Sequence, residues 1–177
     1  NAQALFAHNG QQHGNSIRHS RQLLASHDFV ALQETHSTQG RAAMHRMPSH
    51  SCAHYSHGTT RTAGIALWIK KEFLQQFQAN SVTWCDLVPG RCAVLRMDGP
   101  CGSLDIYNIY MHTAQARQLR QGIRDAILSS IRPREAALTL FMGDWNYAAH
   151  NTDRFHKSNL AWTGARDSPE QQDFSAQ

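Results

Sequence analysis

Carboxylates follow two apolar runs of this sequence. Glu34 comes directly after the apolar run at 29–33, and Asp144 ends the apolar run at 138–143. Runs of this length are typical of strands that are covered on both faces, and layered α/β folds bind ligands where such strands end. Because carboxylate oxygens are hard ligands, two of them at one edge of a sheet predict a site for a divalent cation.

Glu34 is the residue that we expect to hold this cation. Mg²⁺ is usually bound by only one or two protein carboxylates, while substrate phosphates and waters complete its coordination. The alternative is a glutamate at a strand end that caps a helix or pairs with a surface cation. A second polar group at the same edge favours the cation site.

The sequence Gly-Asp-Trp-Asn at 143–146 predicts a tight turn that supplies this second group. Asp144 and Asn146 are two residues apart, so their side chains can point the same way. An aspartate can orient or deprotonate an attacking water, and a neutral amide can donate to a phosphate oxygen or hold the aspartate in place. The alternative is an Asx turn that only closes a loop.

A third apolar run, 103–111, also ends in polar groups. Tyr110 and His112 are two residues apart and would share one face of an extended strand. Histidine titrates near neutral pH, so His112 could protonate a leaving oxygen or stabilise a phosphoryl transition state. A structural hydrogen-bonding role is the alternative for each of them.

The charge balance is compatible with a phosphate-bearing partner. The chain has 14 arginines and 3 lysines against 9 aspartates and 4 glutamates, which gives a net charge of +4. Guanidinium groups suit phosphate, although ordinary soluble domains carry a charge of this size as well. Along the predicted helix after His112, arginines at i, i+3 and i+7 could contact a nucleic-acid backbone or form a solvated face. These are Arg117, Arg120 and Arg124, and Arg132 and Arg134 follow them.

The first third of the chain predicts few core elements. Helical spacing from Ser16 to Ser26 leads into the strand that ends before Glu34. Residues 37–62 are rich in Ser, Thr, His, Gly and Arg, so we expect an irregular stretch with one short helix and one short strand.

The middle of the chain predicts an antiparallel meander. Its strand patterns cover 82–87, 91–97 and 103–111 and are separated by Pro-Gly and Gly-Pro-Cys-Gly turns. A strand pattern at 64–70 and a brief helix at 72–77 precede it. Thr113 is expected to cap the next helix, which Pro133 ends, and the strand before Asp144 follows. The pattern predicts no core strand after Asn146. We therefore expect an α/β layered sandwich of mixed β-sheets flanked by helices, in a single domain.

Two features bear on the compartment. No apolar stretch reaches the roughly 18 residues that a membrane helix needs, so no membrane partner is expected. The four cysteines lack C-x-x-C spacing and are expected to be reduced thiols, which favours an intracellular location, nuclear or cytoplasmic. The sequence indicates no protein partner.

The residues described so far resemble a known family. Leu-Gln-Glu-Thr-His at 32–36 and Gly-Asp-Trp-Asn at 143–146 resemble, in the same order, the two hallmark motifs of the endonuclease/exonuclease/phosphatase superfamily. This superfamily includes DNase I, the apurinic/apyrimidinic endonucleases and the endonuclease domains of LINE-type retrotransposons. The pairs Asp153-Arg154 and Thr163-Gly164 after the second motif favour a resemblance to the retrotransposon branch of the superfamily.

The resemblance implies a DNase I-like fold and a Mg²⁺ or Mn²⁺ cofactor. Glu34 would be the metal-ligating glutamate. Asn1, followed by Leu5, resembles the Asn of the family's opening Asn-x-x-Gly-Leu element beside the metal, with Ala4 in place of the glycine. Asp144 would act on the attacking water.

The resemblance also implies roles for three residues that contact the substrate. Asn146 would contact the phosphate or the transition state. Tyr110 matches the phosphate-binding tyrosine of the abasic-site and retrotransposon enzymes, whereas His112 matches the catalytic histidine of DNase I. Both residues are carried forward as catalytic candidates.

The expected function is a divalent-metal-dependent phosphodiesterase, namely an endonuclease domain that cleaves DNA by attack of water on a metal-bound phosphate. Family members continue with further strands, another Asp and a closing Asp-His pair, which are not visible before Gln177. We therefore expect residues 1–177 to be one partial domain with an incomplete second sheet, and activity to belong to the full-length parent. The alternatives are a degenerate remnant that binds nucleic acid or protein, and a phosphatase of lipid or nucleotide substrates.

Overall fold

The computed structural model describes residues 5–6, 13–44, 46–113 and 116–146, and the backbone of 155–156 and 161–162. The helices are α1 (His13–Ser26), α2 (Gln39–Met44), α3 (Lys71–Leu74) and α4 (Arg117–Ser130). The strands are β1 (Phe29–Gln33), β2 (Ser51–Ser56), β3 (Ile65–Lys70), β4 (Thr83–Val88), β5 (Cys92–Gly99), β6 (Gly102–Tyr110), β7 (Leu138–Asp144), β8 (Phe155–His156) and β9 (Ala161–Trp162). In this described part, no helix is long and apolar enough to cross a membrane.

Two β-sheets form the centre of the molecule. The first has the order β1-β3-β2 and is antiparallel throughout. The second has the order β4-β5-β6-β7, in which β4, β5 and β6 form the expected antiparallel meander. Helix α4 carries the chain back to the end of the sheet at which β6 begins. Strand β7 therefore pairs parallel to β6, and the second sheet is mixed.

The first sheet has one face toward α1 and the other toward the second sheet. Along β3, Ala66 and Trp68 pack with Leu24 of α1, whereas the alternating residues Leu67 and Ile69 pack with the second sheet. This alternation follows from the two-residue period of a strand. Both faces of β3 are therefore buried, which explains its continuous apolar sequence.

Helix α4 covers the outer face of the second sheet. Ile123 and Ile127 lie one turn apart and pack with Val94 of β5 and with Tyr107 and Ile109 of β6. The molecule is thus a layered α/β sandwich in which two sheets lie between helices. The fold class expected from the sequence is confirmed.

The start of α4 differs from the expectation. Ala116 is the N-cap residue, with φ −111° and ψ 49°, and no side chain caps the helix. Thr113 lies three residues earlier, where its carbonyl oxygen accepts a hydrogen bond from the Ala116 amide at 3.2 Å. The prediction of Thr113 as the cap is therefore wrong, because the helix begins three residues later than expected.

Strand β7 is less covered than its apolar sequence predicts. Leu138 is 65% exposed and Phe141 is 43% exposed, whereas Val30 and Leu32 of β1 are buried. Among the described residues, β7 pairs only with β6. The expectation of burial on both faces is therefore wrong for β7.

The segment after Asn146 contains two short strands where the sequence predicts no core strand. Strands β8 and β9 have two residues each and pair antiparallel, with Phe155 opposite Trp162 and His156 opposite Ala161. The sequence signal is weak because a two-residue strand shows no periodicity.

The sequence allowed the arginines of α4 to form one solvated face, but the structure does not show such a face. Arg120 and Arg124 are buried on the side of the helix that carries its apolar residues, whereas Arg117 is exposed. Arg124 donates through Nε and Nη2 to Gln121 Oε1, at 3.2 and 2.7 Å. A spacing of three residues puts Arg120 beside Ile123 and Arg124 beside Ile127, so both turn toward the sheet.

The arginines after α4 behave differently from each other. Arg132 forms ion pairs with Asp98 and Asp105, and Arg134 is exposed. Of the five arginines considered, only Arg117 and Arg134 are exposed, so the five do not form one continuous basic surface.

Candidate active site

Three of the expected residues meet where β1, β6 and β7 end. The Tyr110 hydroxyl donates a hydrogen bond to Glu34 Oε1, and this contact joins the two sheets. Tyr110 is also the register partner of Asp144 on the adjacent parallel strand. The negative charge of Asp144 acts on the Tyr110 hydroxyl. Both carboxylates therefore lie near the same phenol. We call this end of the two sheets, formed by Glu34, Tyr110 and Asp144, the rim.

The rim keeps Tyr110 in its neutral form. Burial, the hydrogen bond to Glu34 and the negative charges of Glu34 and Asp144 raise the pKa of Tyr110 to about 12, against the opposing effect of Arg91. A phenol with this pKa is protonated at neutral pH, so it acts as a hydrogen-bond donor to a carboxylate.

A turn after β7 holds the Asp144 side chain. The backbone amide of Asn146 donates to Asp144 Oδ1 at 3.0 Å. Its side-chain Nδ2 donates to the Met111 carbonyl at 2.7 Å. The Asx turn considered as an alternative is therefore present, and it orients the carboxylate at the rim. Because an amide nitrogen carries two hydrogens, Asn146 retains a second donor for a phosphate oxygen.

Gly143 allows β7 to approach β6 at the rim. Its φ is 156°, and a Cβ atom at this position would lie 1.9 Å from the Ile109 carbonyl oxygen. No side chain fits there unless the strands separate. Glycine at 143 is therefore what lets Asp144 lie directly beside Tyr110.

Backbone hydrogen bonds connect the loops around Glu34. The Thr35 amide donates to the Gly64 carbonyl at 2.9 Å, and the Gly64 amide donates to the Gly90 carbonyl at 3.0 Å. Glu34 and His36 have φ values of 55° and 50°, in the left-handed region that non-glycine residues seldom adopt. Such strain persists where surrounding structure holds it, and it is common at functional sites.

Arg91 is a rim residue that the sequence reasoning missed. Its guanidinium carbon lies 4.4 Å from the centroid of the Tyr110 ring, and its carbonyl accepts the Tyr110 amide at 2.7 Å. The only sequence signal is a cation directly after the Pro89-Gly90 turn. Pairing of β5 with β6 brings this turn to Tyr110, so the contact depends on the sheet rather than on a local motif.

His112 lies just beyond the end of β6 and is half-buried. Burial lowers its pKa, and the positive charges of Arg91 and Arg120 lower it further. His112 is therefore neutral at pH 7. This state disfavours the role of proton donor to a leaving oxygen and favours that of a neutral hydrogen-bonding group.

Several residues considered in the sequence lie outside the described part of the structure. They are Asn1, Ala4, Asp153, Arg154, Thr163 and Gly164. The neighbouring segment at 5–6 is described: the Phe6 amide donates to the Thr35 carbonyl at 3.0 Å, and Arg41 donates to the Phe6 carbonyl at 2.8 Å. This segment therefore lies beside the loop that follows Glu34.

The donor set of the rim fits a hard divalent cation. Within the described ranges, no group of three or more His, Cys, Asp or Glu side chains could hold a metal ion. Structural zinc sites use four such ligands, whereas Mg²⁺ needs one or two carboxylates together with water or substrate oxygens. Glu34 and Asp144 therefore suit Mg²⁺ or Mn²⁺ better than a closed zinc site.

Comparison with known proteins identifies the family. Residues 9–172 match the Endonuclease/Exonuclease/phosphatase family, and the chain belongs to this family. The resemblance seen in the two sequence motifs is confirmed. A search of the curated proteins found no match.

Solved structures with this fold include three enzymes. AP endonuclease LMAP from Leishmania major has a TM-score of 0.66 and 14% identity, over 92% of this chain and 60% of its own. The 3' phosphatase NExo from Neisseria, bound to product DNA hairpin, has a TM-score of 0.58 and 17% identity, over 90% and 63%. A humanized TDP2 from D. rerio has a TM-score of 0.53 and 15% identity, over 80% and 64%. At these identities they show the fold, and this chain spans less than two thirds of their length.

Proposed function

We propose that this chain carries the cation- and phosphate-binding part of a divalent-metal-dependent phosphodiesterase that cleaves DNA. The observation that carries the proposal is the placement of Glu34 and Asp144 beside the Tyr110 phenol, with Arg91 against its ring. Carboxylates attract a cation, while neutral donors and a guanidinium suit phosphate oxygens. The AP endonuclease and the DNA-bound 3' phosphatase of the same fold support DNA as the substrate.

The carboxylates would have different roles. Glu34 would hold Mg²⁺ or Mn²⁺, together with Asn1 as the family resemblance implies. The ion, when bound, would offset the charge on the phosphoryl oxygens. Asp144 would orient a water molecule and accept its proton as the water oxygen forms a bond to phosphorus and the ester oxygen leaves. The backbone amide of Asn146, which donates to Asp144 Oδ1, would keep the carboxylate oriented toward this water.

The remaining rim residues would bind the phosphate. Asn146 and Arg91 offer an amide and a guanidinium, which are donors that strengthen as negative charge develops. The single Tyr110 hydroxyl hydrogen, which Glu34 accepts, would turn to the phosphate when the cation occupies Glu34. His112 would add a neutral hydrogen-bonding group. Because the donors lie at the ends of β5 and β6 and in the turn after β7, they would surround the phosphate with little movement of the backbone.

Nicking of supercoiled plasmid tests the proposal. The 177-residue chain and a C-terminally extended protein are compared in Mg²⁺ or Mn²⁺, with and without EDTA. We expect EDTA and Glu34→Ala to abolish nicking by the active protein. The control Glu72→Ala changes an exposed glutamate of α3 and should leave nicking intact.

Three results would contradict the proposal. They are an extended protein that is inert on DNA, nicking that resists EDTA, and nicking that Glu34→Ala leaves unchanged. An inert protein that still binds plasmid DNA would instead indicate a non-catalytic remnant. Hydrolysis confined to lipid or nucleotide phosphates would indicate the phosphatase alternative.

A further inference from the structure

Two buried amide side chains connect the sheets directly beneath the rim. Gln33 Nε2 donates to Asn108 Oδ1 at 2.7 Å. Asn108 Nδ2 in turn donates to the carbonyls of Ala66 at 2.8 Å and Leu32 at 3.3 Å. Gln33 is 5% exposed and Asn108 is fully buried. The pair, which we call the amide clamp, therefore links β1, β3 and β6 in one hydrogen-bond network.

The surroundings of the amide clamp do not require polar side chains. Farther from the rim, the layer between the sheets contains a cluster of apolar residues such as Leu67, Leu95 and Ile106. Apolar side chains could fill the same volume without the cost of removing two amides from water. A buried amide pair differs from an apolar pair in one respect: any other alignment of the sheets leaves its donors unpaired. The amides therefore favour one alignment.

The amide clamp lies next to two residues of the rim, so the alignment of the sheets affects their contact. Gln33 directly precedes Glu34, and Asn108 lies two residues before Tyr110 on the same face of β6. A one-residue slip of β1 against β6 would move Glu34 by roughly 3.3 Å. The hydrogen bond from Tyr110 to Glu34 does not survive such a shift, because hydrogen bonds weaken steeply beyond about 3.2 Å.

We propose that the amide clamp is the positioning element of the rim. It holds Glu34 of the first sheet against Tyr110 and Asp144 of the second sheet, in the alignment that receives the cation. Gln33 and Asn108 act through Glu34 and Tyr110 and are positioning residues rather than catalytic ones. The effect on cation binding rests on the proposed function, whereas the effect on the alignment of Glu34 does not.

The test compares variants of the amide clamp with a matched control on the same strand. Gln33→Met and Asn108→Leu keep the side-chain volume and remove the amides. Asp105→Asn changes another fully buried polar residue of β6, about 17 Å from Tyr110 along the strand. Each protein is studied at the same temperature interval below its own Tm, so that a general loss of stability affects all of them equally. Gln33→Met keeps Asn108 on the Ala66 carbonyl, so it should fold even where Asn108→Leu does not.

Two measurements separate positioning from stability. Hydrogen exchange reports the amides at 34–36, two of which donate to the 63–64 segment. Electron paramagnetic resonance of added Mn²⁺ reports cation binding without any need for turnover. We expect Gln33→Met to accelerate exchange at 34–36 by about tenfold, which is the effect of losing one buried hydrogen bond. It should weaken Mn²⁺ binding by about tenfold or more, because the loss of a group that orients a metal ligand costs about 10–100-fold in affinity. Asp105→Asn should lower Tm and change neither measurement.

The outcomes distinguish the two proposals. If Gln33→Met and Asp105→Asn affect exchange at 34–36 to the same extent, the amide clamp is only a core contact and the positioning role is overturned. If the wild-type protein does not bind Mn²⁺ but Gln33→Met still accelerates exchange only at 34–36, the proposed function fails while the positioning role of the amide clamp stands.

Discussion

The two ends of β6 differ in how their charges are compensated. At the end away from the rim, Asp105 is fully buried and accepts hydrogen bonds from Arg132 Nε at 3.0 Å and from Nη2. Arg132 Nη1 donates to Asp98 at 2.7 Å, and this hydrogen bond lowers the pKa of the Asp98 carboxyl. The charged groups at this end are therefore neutralised by one another.

The rim end is built from different groups. Glu34 and Asp144 lie near a neutral phenol, and the guanidinium of Arg91 lies against the face of that phenol. Glu34 and Asn146 also have left-handed backbone conformations, with φ values of 55° and 52°. Buried ion pairs hold a structure together only when both partners are present, whereas a functional site must leave groups for a ligand. Under the proposed function, the same strand is stabilised by ion pairs at one end and binds the ligand at the other.

The sharpest way to test this difference is to neutralise the rim carboxylate of β7. We expect Asp144→Asn to lower kcat/KM for DNA cleavage by about 10²–10⁴, because removal of a general base has effects of this size. Its Tm should change little, because asparagine keeps the size of the side chain and an oxygen that can accept the hydrogen bond from the Asn146 backbone amide. Plasmid nicking and thermal melting measure the two effects. A large loss of Tm with retained cleavage would contradict the functional character of this end.

The opposite end should respond in the opposite way. Arg132→Met leaves the buried Asp105 carboxylate without its main partner, and we expect a loss of about 3 kcal/mol in the free energy of unfolding. Urea denaturation measures this loss. The control Arg134→Met changes an exposed arginine nearby and should stay within about 0.5 kcal/mol of wild type. Mn²⁺ binding by folded Arg132→Met protein should match wild type, and weaker binding would show that the two ends are coupled.

Gly143 tests how closely the rim depends on the pairing of β6 and β7. A Cβ atom at Gly143 meets the Ile109 carbonyl, so Gly143→Ala should destabilise the protein by about 2 kcal/mol and weaken Mn²⁺ binding. Gly122→Ala is the control, because a Cβ atom there meets nothing within 4 Å. In the interior of α4 this change should stabilise the protein by about 0.5–1 kcal/mol. Equal effects of the two substitutions would refute the role assigned to Gly143.

The smallest expected effect concerns the pH dependence of stability and involves His54, which lies away from both ends of β6. Burial lowers the pKa of His54, which stacks on Trp84 with ring centroids 5.5 Å apart. Between this lowered pKa and the ordinary value of 6.5, the unfolded chain binds a proton that the folded chain does not. The free energy of unfolding therefore falls as pH decreases below 6.5.

The variant His54→Phe keeps the stacked ring and removes this titration. We expect it to lose less stability than wild type between pH 7 and pH 5, as measured by urea denaturation at each pH. His50→Phe, at an exposed histidine before β2, is the control and should follow the wild-type pH dependence. A His54→Phe profile parallel to that of wild type would assign the acid sensitivity to other groups, such as His36 and His112, whose pKa values are also lowered.

Local patterns predict much of this fold because strand and helix periodicities are properties of neighbouring residues. The strand before Glu34, the three-strand meander, the helix that Pro133 follows and the strand that ends at Asp144 all follow from such patterns. The polar residues at these strand ends were identifiable for the same reason. Two of the errors concern surroundings: the burial of Arg120 and Arg124 and the exposure of Leu138 depend on what packs against them.

The sequence by itself determined which residues end the strands, since apolar runs and turns are written along the chain. Only the tertiary structure decided which of these ends meet. Tyr110 and Glu34 are 76 positions apart, and Gln33 and Asn108 are 75 positions apart. Arg91 likewise reaches the rim only through the pairing of β5 with β6. The physical reason is that alternation along a strand fixes the face on which a side chain lies, whereas the alignment of two sheets is fixed by contacts between distant parts of the chain.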